Sequence, residues 1–162
     1  MGLRGHHRAA TTAVDETTLL VVRYGEQWLA LPSDGVRGVL TKEEAGSGQT
    51  VNWVGVTYNE ADLAGLMDNL LDPSSPELRT VLYATKHAHA AIRVDEVVGL
   101  IDVERSQCHP LPAHFRSDER GWVMGYVSFQ DRVVLMLNPE WVVGELGEVV
   151  SPAAITSSQA GG

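Results

Sequence analysis

The sequence predicts a mainly β protein. Three observations carry that expectation: eight short runs rich in β-branched and apolar residues, brief polar breaks that join six of those runs into three hairpins, and helical periodicity confined to two stretches.

In chain order the runs are Leu19–Tyr24, Trp28–Leu31, Val51–Tyr58, Arg79–Thr85, His89–Val94, Val98–Val103, Trp122–Phe129 and Arg132–Leu137. The hairpins turn at Gly25-Glu26-Gln27, around Lys86-His87 and at Gln130-Asp131-Arg132, where a short polar break separates two apolar runs. Glu43 to Thr50, with Ala45-Gly46-Ser47-Gly48 inside it, reads as an exposed loop. Leu63, Leu66, Met67, Leu70 and Leu71 recur at i, i+3, i+4, i+7 and i+8, the spacing of one helix face. Asn59 or Asp62 supplies its cap, and Asp72-Pro73-Ser74-Ser75-Pro76 its stop. Asn138-Pro139-Glu140 opens a short C-terminal helix that runs into Trp141-Val142-Val143. There Asn caps, Pro occupies a position whose N–H needs no partner, and Glu sits at the positive end of the dipole. Residues 1–16 and 151–162 are poor in large apolar side chains and read as flexible tails around one domain over 17–150.

Sliding the chain by 61 residues lays Leu20, Val22, Leu29, Leu31, Val36, Val39 and Leu40 onto Val81, Tyr83, Ala90, Ile92, Val97, Leu100 and Ile101. Two β subdomains, each opening with a hairpin followed by an apolar turn, would produce this match, and so would chance coincidence of apolar residues.

Composition narrows the function. Among 162 residues, 12 basic against 21 acidic side chains give a net charge of −9. Asp15 to Pro73 alone carries three basic and ten acidic residues. Such a surface repels phosphate backbones, and no Lys/Arg cluster interleaved with aromatics offsets it, so nucleic acid is not an expected partner. The longest apolar runs, such as Val133–Leu137, fall far short of the roughly 20 residues a spanning helix needs, so no membrane insertion is expected. A single cysteine, Cys108, forms no internal bridge and suits a reducing cytoplasm. No secretory signal is read at the N-terminus.

Catalytic signatures are lacking. Ala45-Gly46-Ser47-Gly48-Gln49-Thr50 has no lysine to neutralise phosphates, and no dinucleotide, nucleophile-elbow or zinc-protease motif occurs. No enzyme activity and no cofactor are expected. His87 and His89, two apart and so on one face of a strand, together with Cys108-His109, leave a small metal-binding β module as an alternative. Core packing is the ordinary role for Trp28, Trp53, Trp122 and Trp141, with Trp53 the one to examine for exposure.

The run Asn52-Trp53-Val54-Gly55-Val56-Thr57-Tyr58-Asn59-Glu60-Ala61-Asp62-Leu63 resembles the signature of CheW-like domains, N-L-R-G followed by a hydrophobic strand, a proline and D-L. Asn52, Gly55, Val56, Asp62 and Leu63 match in register. Leu19 to Pro32 resembles the family's opening hairpin, and Val36-Arg37-Gly38-Val39 its V-x-E-V/I element. Val94-Asp95-Glu96-Val97 resembles its V-D-x-V turn, and Gly125 followed by Asp131 to Asn138 its last hairpin and helix entry. Several matches in the right order carry more than any one alone.

The resemblance implies two small five-stranded β-barrel subdomains over a shared core, with a few short helices including a C-terminal one. It also implies a cytoplasmic, non-enzymatic adaptor that couples the tips of methyl-accepting chemoreceptors to the regulatory domain of a CheA-type histidine kinase in receptor arrays. Carried onto this sequence, it places Val36, Gly38, Val39, Trp53, Val54 and Val56 at the receptor groove, and Val97, Leu100, Ile101 and Gly125 at the kinase interface. The family's arginine is Val54 here, its glutamate Gly38, and its proline Asn59. Two readings follow. Either the receptor tip has changed in compensation, or the chain is an accessory array component that contacts mainly the kinase or other CheW-like proteins.

Overall fold

The structure, a computed structural model, describes residues 16–63, 74–111 and 119–146. Its strands are β1 (Glu16–Tyr24), β2 (Gln27–Pro32), β3 (Val36–Thr41), β4 (Thr50–Trp53), β5 (Val56–Glu60), β6 (Arg79–Ala84), β7 (His89–Val94), β8 (Glu96–Glu104), β9 (Val123–Phe129) and β10 (Arg132–Leu137). Short helices are α1 (Lys42–Ala45), α2 (Glu119–Trp122) and α3 (Pro139–Trp141), the last continuing as a wider turn over Val142–Leu146. Single 3-10 turns cover Ser33–Gly35 and Arg105–Gln107.

The strands form two five-stranded sheets, β8-β1-β2-β10-β9 and β3-β6-β7-β5-β4. Each has an antiparallel hairpin at its centre, β1–β2 or β6–β7, flanked on one side by a parallel neighbour, β10 beside β2 or β5 beside β7. The topologies therefore correspond strand for strand. They also exchange strands: β3, β4 and β5 leave the first hairpin to build the second sheet, while β8, β9 and β10 leave the second hairpin to build the first.

Strand β1 shows why its sequence is an unbroken apolar run. Leu20, Val22 and Tyr24 enter a core shared by both sheets, whereas Leu19 and Val21, on the opposite face, enter a core private to the first sheet. Strand β6 repeats the pattern, with Val81 and Tyr83 in the shared core and Leu82 in the core of the second sheet. Leu29, Leu31, Ala90 and Ile92 complete the centre of the shared core, and Trp122, Leu137, Val142 and Val143 close one end of it. Each fully buried aliphatic side chain here contributes about 1.5–3 kcal/mol.

The 61-residue offset is a structural correspondence. Its first four pairs all lie in the shared core, Val36 and Val97 both pack against it, and Val39 and Leu100 are both exposed. The register shifts also coincide. One falls between Val36 and Gly38 in β3, the other where β8 passes from Val97 to Gly99.

Four sequence expectations need correction. Val36–Thr41, which is not among the eight expected runs, is a strand, and a bulge at Arg37 interrupts its alternation. Val51–Tyr58 is two strands, β4 and β5, folded at Val54-Gly55. Trp122 ends α2 instead of opening β9, and β8 begins at Glu96, two residues before the expected start. The Leu63–Leu71 helix lies outside the described residues apart from Leu63, which is buried in the shared core. The C-terminal helix start agrees with expectation: Asn138 Oδ1 accepts from the Glu140 and Trp141 amides at 3.2 and 3.5 Å, with Pro139 following it.

Candidate functional site

Of the six residues assigned to the receptor groove, Val36, Gly38 and Val39 lie on β3, Trp53 ends β4, Val54 is in the β4–β5 turn and Val56 opens β5, all in the second sheet. Strands β3 and β4 are its edges, yet a Cβ added at Gly38 would stand 3.6 Å from Trp53 Nε1, so the sheet curls until its edges approach. Val36 is half-buried against the shared core, Trp53 and Val56 pack against the second sheet's own core, and Val39 is exposed. Val54 stands at the tip of the β4–β5 hairpin with 87% of its surface accessible.

That tip is strained. A two-residue turn between right-twisted strands needs both residues in the left-handed region, and Val54 has φ 49° and Gly55 φ 79°. Glycine adopts this conformation freely, but a β-branched residue does so at a cost. The corresponding hairpin of the first sheet solves the same problem with Gln130 and Asp131, at φ 53° and 61°.

Beside Val36, where the chain crosses from β2 to β3, a cleft of about 480 Å³ is lined by Pro32, Asp34, Arg37, Tyr83, Lys86 and Glu140. Its polar lining balances two cations against two anions. The Tyr83 hydroxyl donates to the Pro32 carbonyl at 2.7 Å, and a Cβ on Gly35 would lie 2.3 Å from the tyrosine ring, so Gly35 is required for this crossover to close. Burial, reinforced by Asp34 and Glu140 against an opposing effect of Arg37, raises the phenol to about 12. It therefore stays a hydrogen-bond donor at neutral pH. Sequence reasoning missed this cleft because its walls come from three separated segments.

The residues assigned to the kinase interface divide. Leu100, on edge strand β8, is 64% exposed, while Val97 is half-buried on the shared core and Ile101 on the first sheet's core. Gly125 is buried, and a Cβ there would fall 2.3 Å from the His109 carbonyl oxygen. It permits the antiparallel bridge in which His109 and Tyr126 exchange two 2.9 Å backbone hydrogen bonds, so it is a packing position that offers no surface. The turn resembling V-D-x-V is likewise structural: Asp95 Oδ2 accepts from the Gly25 amide at 2.6 Å, tying the β7–β8 crossover to the β1–β2 hairpin.

The metal alternative is not supported. His89 stacks edge-on against Tyr58 on the second sheet, whereas Cys108 precedes the His109 bridge to the first. Among the described residues no three His, Cys, Asp or Glu side chains stand close enough to hold an ion. Nor, among them, is any helix long and apolar enough to cross a membrane.

Two curled five-stranded sheets around a shared core, with apolar side chains exposed on edge strands and at a hairpin tip, define a β scaffold that acts through its surfaces. The chain belongs to the CheW-like domain family, whose model matches residues 18–146. At the level of that family it is a chemotaxis coupling adaptor, a scaffold rather than an enzyme. The fold is similar to the crystal structure of the scaffolding protein TtCheW from Thermoanaerobacter tengcongensis, with a TM-score of 0.63 at 17% identity over 78% of this chain and 91% of that one. No curated protein matches the sequence.

Proposed function

We propose that this protein couples chemoreceptor tips to a CheA-type histidine kinase in the cytoplasm, as a component of receptor arrays. The observation that carries the reading is the strip formed where β3 and the β4–β5 hairpin approach each other. There Val39 and Val54 are exposed and Trp53 lies between the strands at the positions the family uses for receptors. A receptor tip meeting this strip meets apolar surface where the family pattern has arginine and glutamate, so the matching receptor is apolar there as well. Leu100, at the equivalent place on β8, is the kinase-side anchor.

Val54 and Gly38 favour one second reading, an accessory array component that has given up receptor docking and contacts the kinase or other CheW-like proteins. A calorimetric titration with the regulatory domain of the cognate kinase, then of that mixture with a receptor-tip fragment, separates the two. The coupling adaptor binds both, the accessory component binds the kinase alone, and binding of neither overturns the proposal. Val54→Arg should change receptor affinity while leaving kinase affinity within about twofold, and because Val54 is exposed the new charge has no burial cost.

A further inference from the structure

One end of the second sheet's interior is hollow. Beneath the Gly46-Ser47 loop, a cavity of about 190 Å³ is lined by Lys42, Ala45, Leu78, Thr80 and Arg93. At roughly 30 Å³ per water, it has room for about six or seven non-hydrogen atoms.

Its chemistry is specific. Thr80 is 1% exposed, and its hydroxyl has no hydrogen-bond partner among the described residues. An unpaired buried hydroxyl is costly, and folded proteins rarely keep one without a reason. The fold itself does not demand it: the residue 61 positions earlier, at the matching place in β1, is Leu19, buried in the first sheet's core. Arg93 stands directly opposite Thr80 in register on β7. Its guanidinium donates to the Gly48 carbonyl at 2.9 Å and lies 3.5 Å from a Glu60 carboxylate oxygen, and its Nε–H has no hydrogen-bond partner among the described residues. Ala45 and Leu78 supply apolar wall, and no acidic side chain appears among the described lining residues.

We propose that this cavity binds a small aliphatic carboxylate, with its alkyl chain against Ala45 and Leu78 and its carboxylate between the Thr80 hydroxyl and the Arg93 guanidinium. The arrangement satisfies the buried donor and uses the spare guanidinium edge. This site is separate from the receptor strip and stands whether or not the adaptor reading does.

The test is titration of the full chain with pentanoate, followed by methyl resonances in NMR. The expected result is a saturable shift at Thr80, Leu78 and Ala45 with a Kd of about 1 mM, and binding at least about tenfold weaker for pentan-1-ol. Thr80→Val should weaken pentanoate about tenfold, and Thr80→Ser should restore it to within about threefold. Shifts that do not saturate, that fall elsewhere, or that are matched by pentan-1-ol or by Thr80→Val overturn the proposal. The alcohol comparison uses the natural chain and so decides the matter even if Thr80→Val folds poorly.

Discussion

Replacing Val54 by asparagine should make the protein more stable and a poorer adaptor at the same time. Val54 holds φ 49°, a region that costs an L-residue roughly 1–2 kcal/mol and that asparagine tolerates far better. Its side chain is 87% exposed, so removing it forfeits almost no buried apolar area. Asn-Gly is moreover the favoured pair for a two-residue hairpin turn of this geometry. The net gain is therefore about 1 kcal/mol, which for a chain of 162 residues raises Tm by about 3 °C. Thermal unfolding followed by circular dichroism checks the shift, and urea unfolding checks that the midpoint rises with an unchanged slope. If the strained valine is retained for contact with a receptor tip, the same variant should lose receptor affinity about tenfold. An unchanged or lower Tm would refute the strain argument, and full receptor affinity in a stabilised variant would refute the functional reason for it.

Three further outcomes follow from the same geometry. Gly125→Ala puts a methyl group 2.3 Å from the His109 carbonyl, so it should break the bridge to β9 and destabilise by about 1–3 kcal/mol, seen as a lower urea midpoint. Tyr24 and Tyr83 are both raised to about 12, Tyr24 chiefly by burial and then by Asp62, Asp95 and Glu60. The folded state keeps phenolic protons that the unfolded chain releases near its ordinary value of about 10, so their stabilisation is intact below pH 10 and is lost as pH rises through 12. Urea midpoints that stay flat across that window would contradict it. Leu100→Glu, on an exposed edge strand, should leave Tm within about 1 °C while weakening kinase binding about tenfold; a matched loss of Tm would make Leu100 a packing residue instead.

Much of the architecture was legible because β1, β2, β6 and β7 are buried on both faces and read as dense apolar runs. Strand β3 escaped notice for a physical reason: Arg37 at its bulge and Gly38 after it suppress both alternation and β propensity. The fold at Val54-Gly55 was invisible because valine signals strand, and the turn exists in spite of it. The repeat could be seen as an offset, but the exchange of strands could not, since pairing of β3 with β6 and β8 with β1 is a long-range choice. Of the residues the resemblance assigned to interfaces, Val39 and Leu100 are exposed, whereas Gly125 is buried. A glycine inside a strand signals close backbone approach, and the His109 carbonyl is what approaches it. Thr80 and its cavity gave no motif at all.

The crossed-over strands also bear on how one molecule comes to present two different faces. In a swapped pair of identical half-length chains, each sheet would take a hairpin from one copy and three strands from the other, and both sheets would carry the same side chains. Joining the halves into one polypeptide removes that constraint. Each position can then be tuned on one side only: Val39 opposite Leu100, an apolar Val54-Gly55 turn opposite a polar Gln130-Asp131 turn, and a hydroxyl-bearing Thr80 opposite Leu19. A scaffold that must hold unlike neighbours on its two sides gains from this broken symmetry, while the shared core keeps the two faces at a fixed distance and angle.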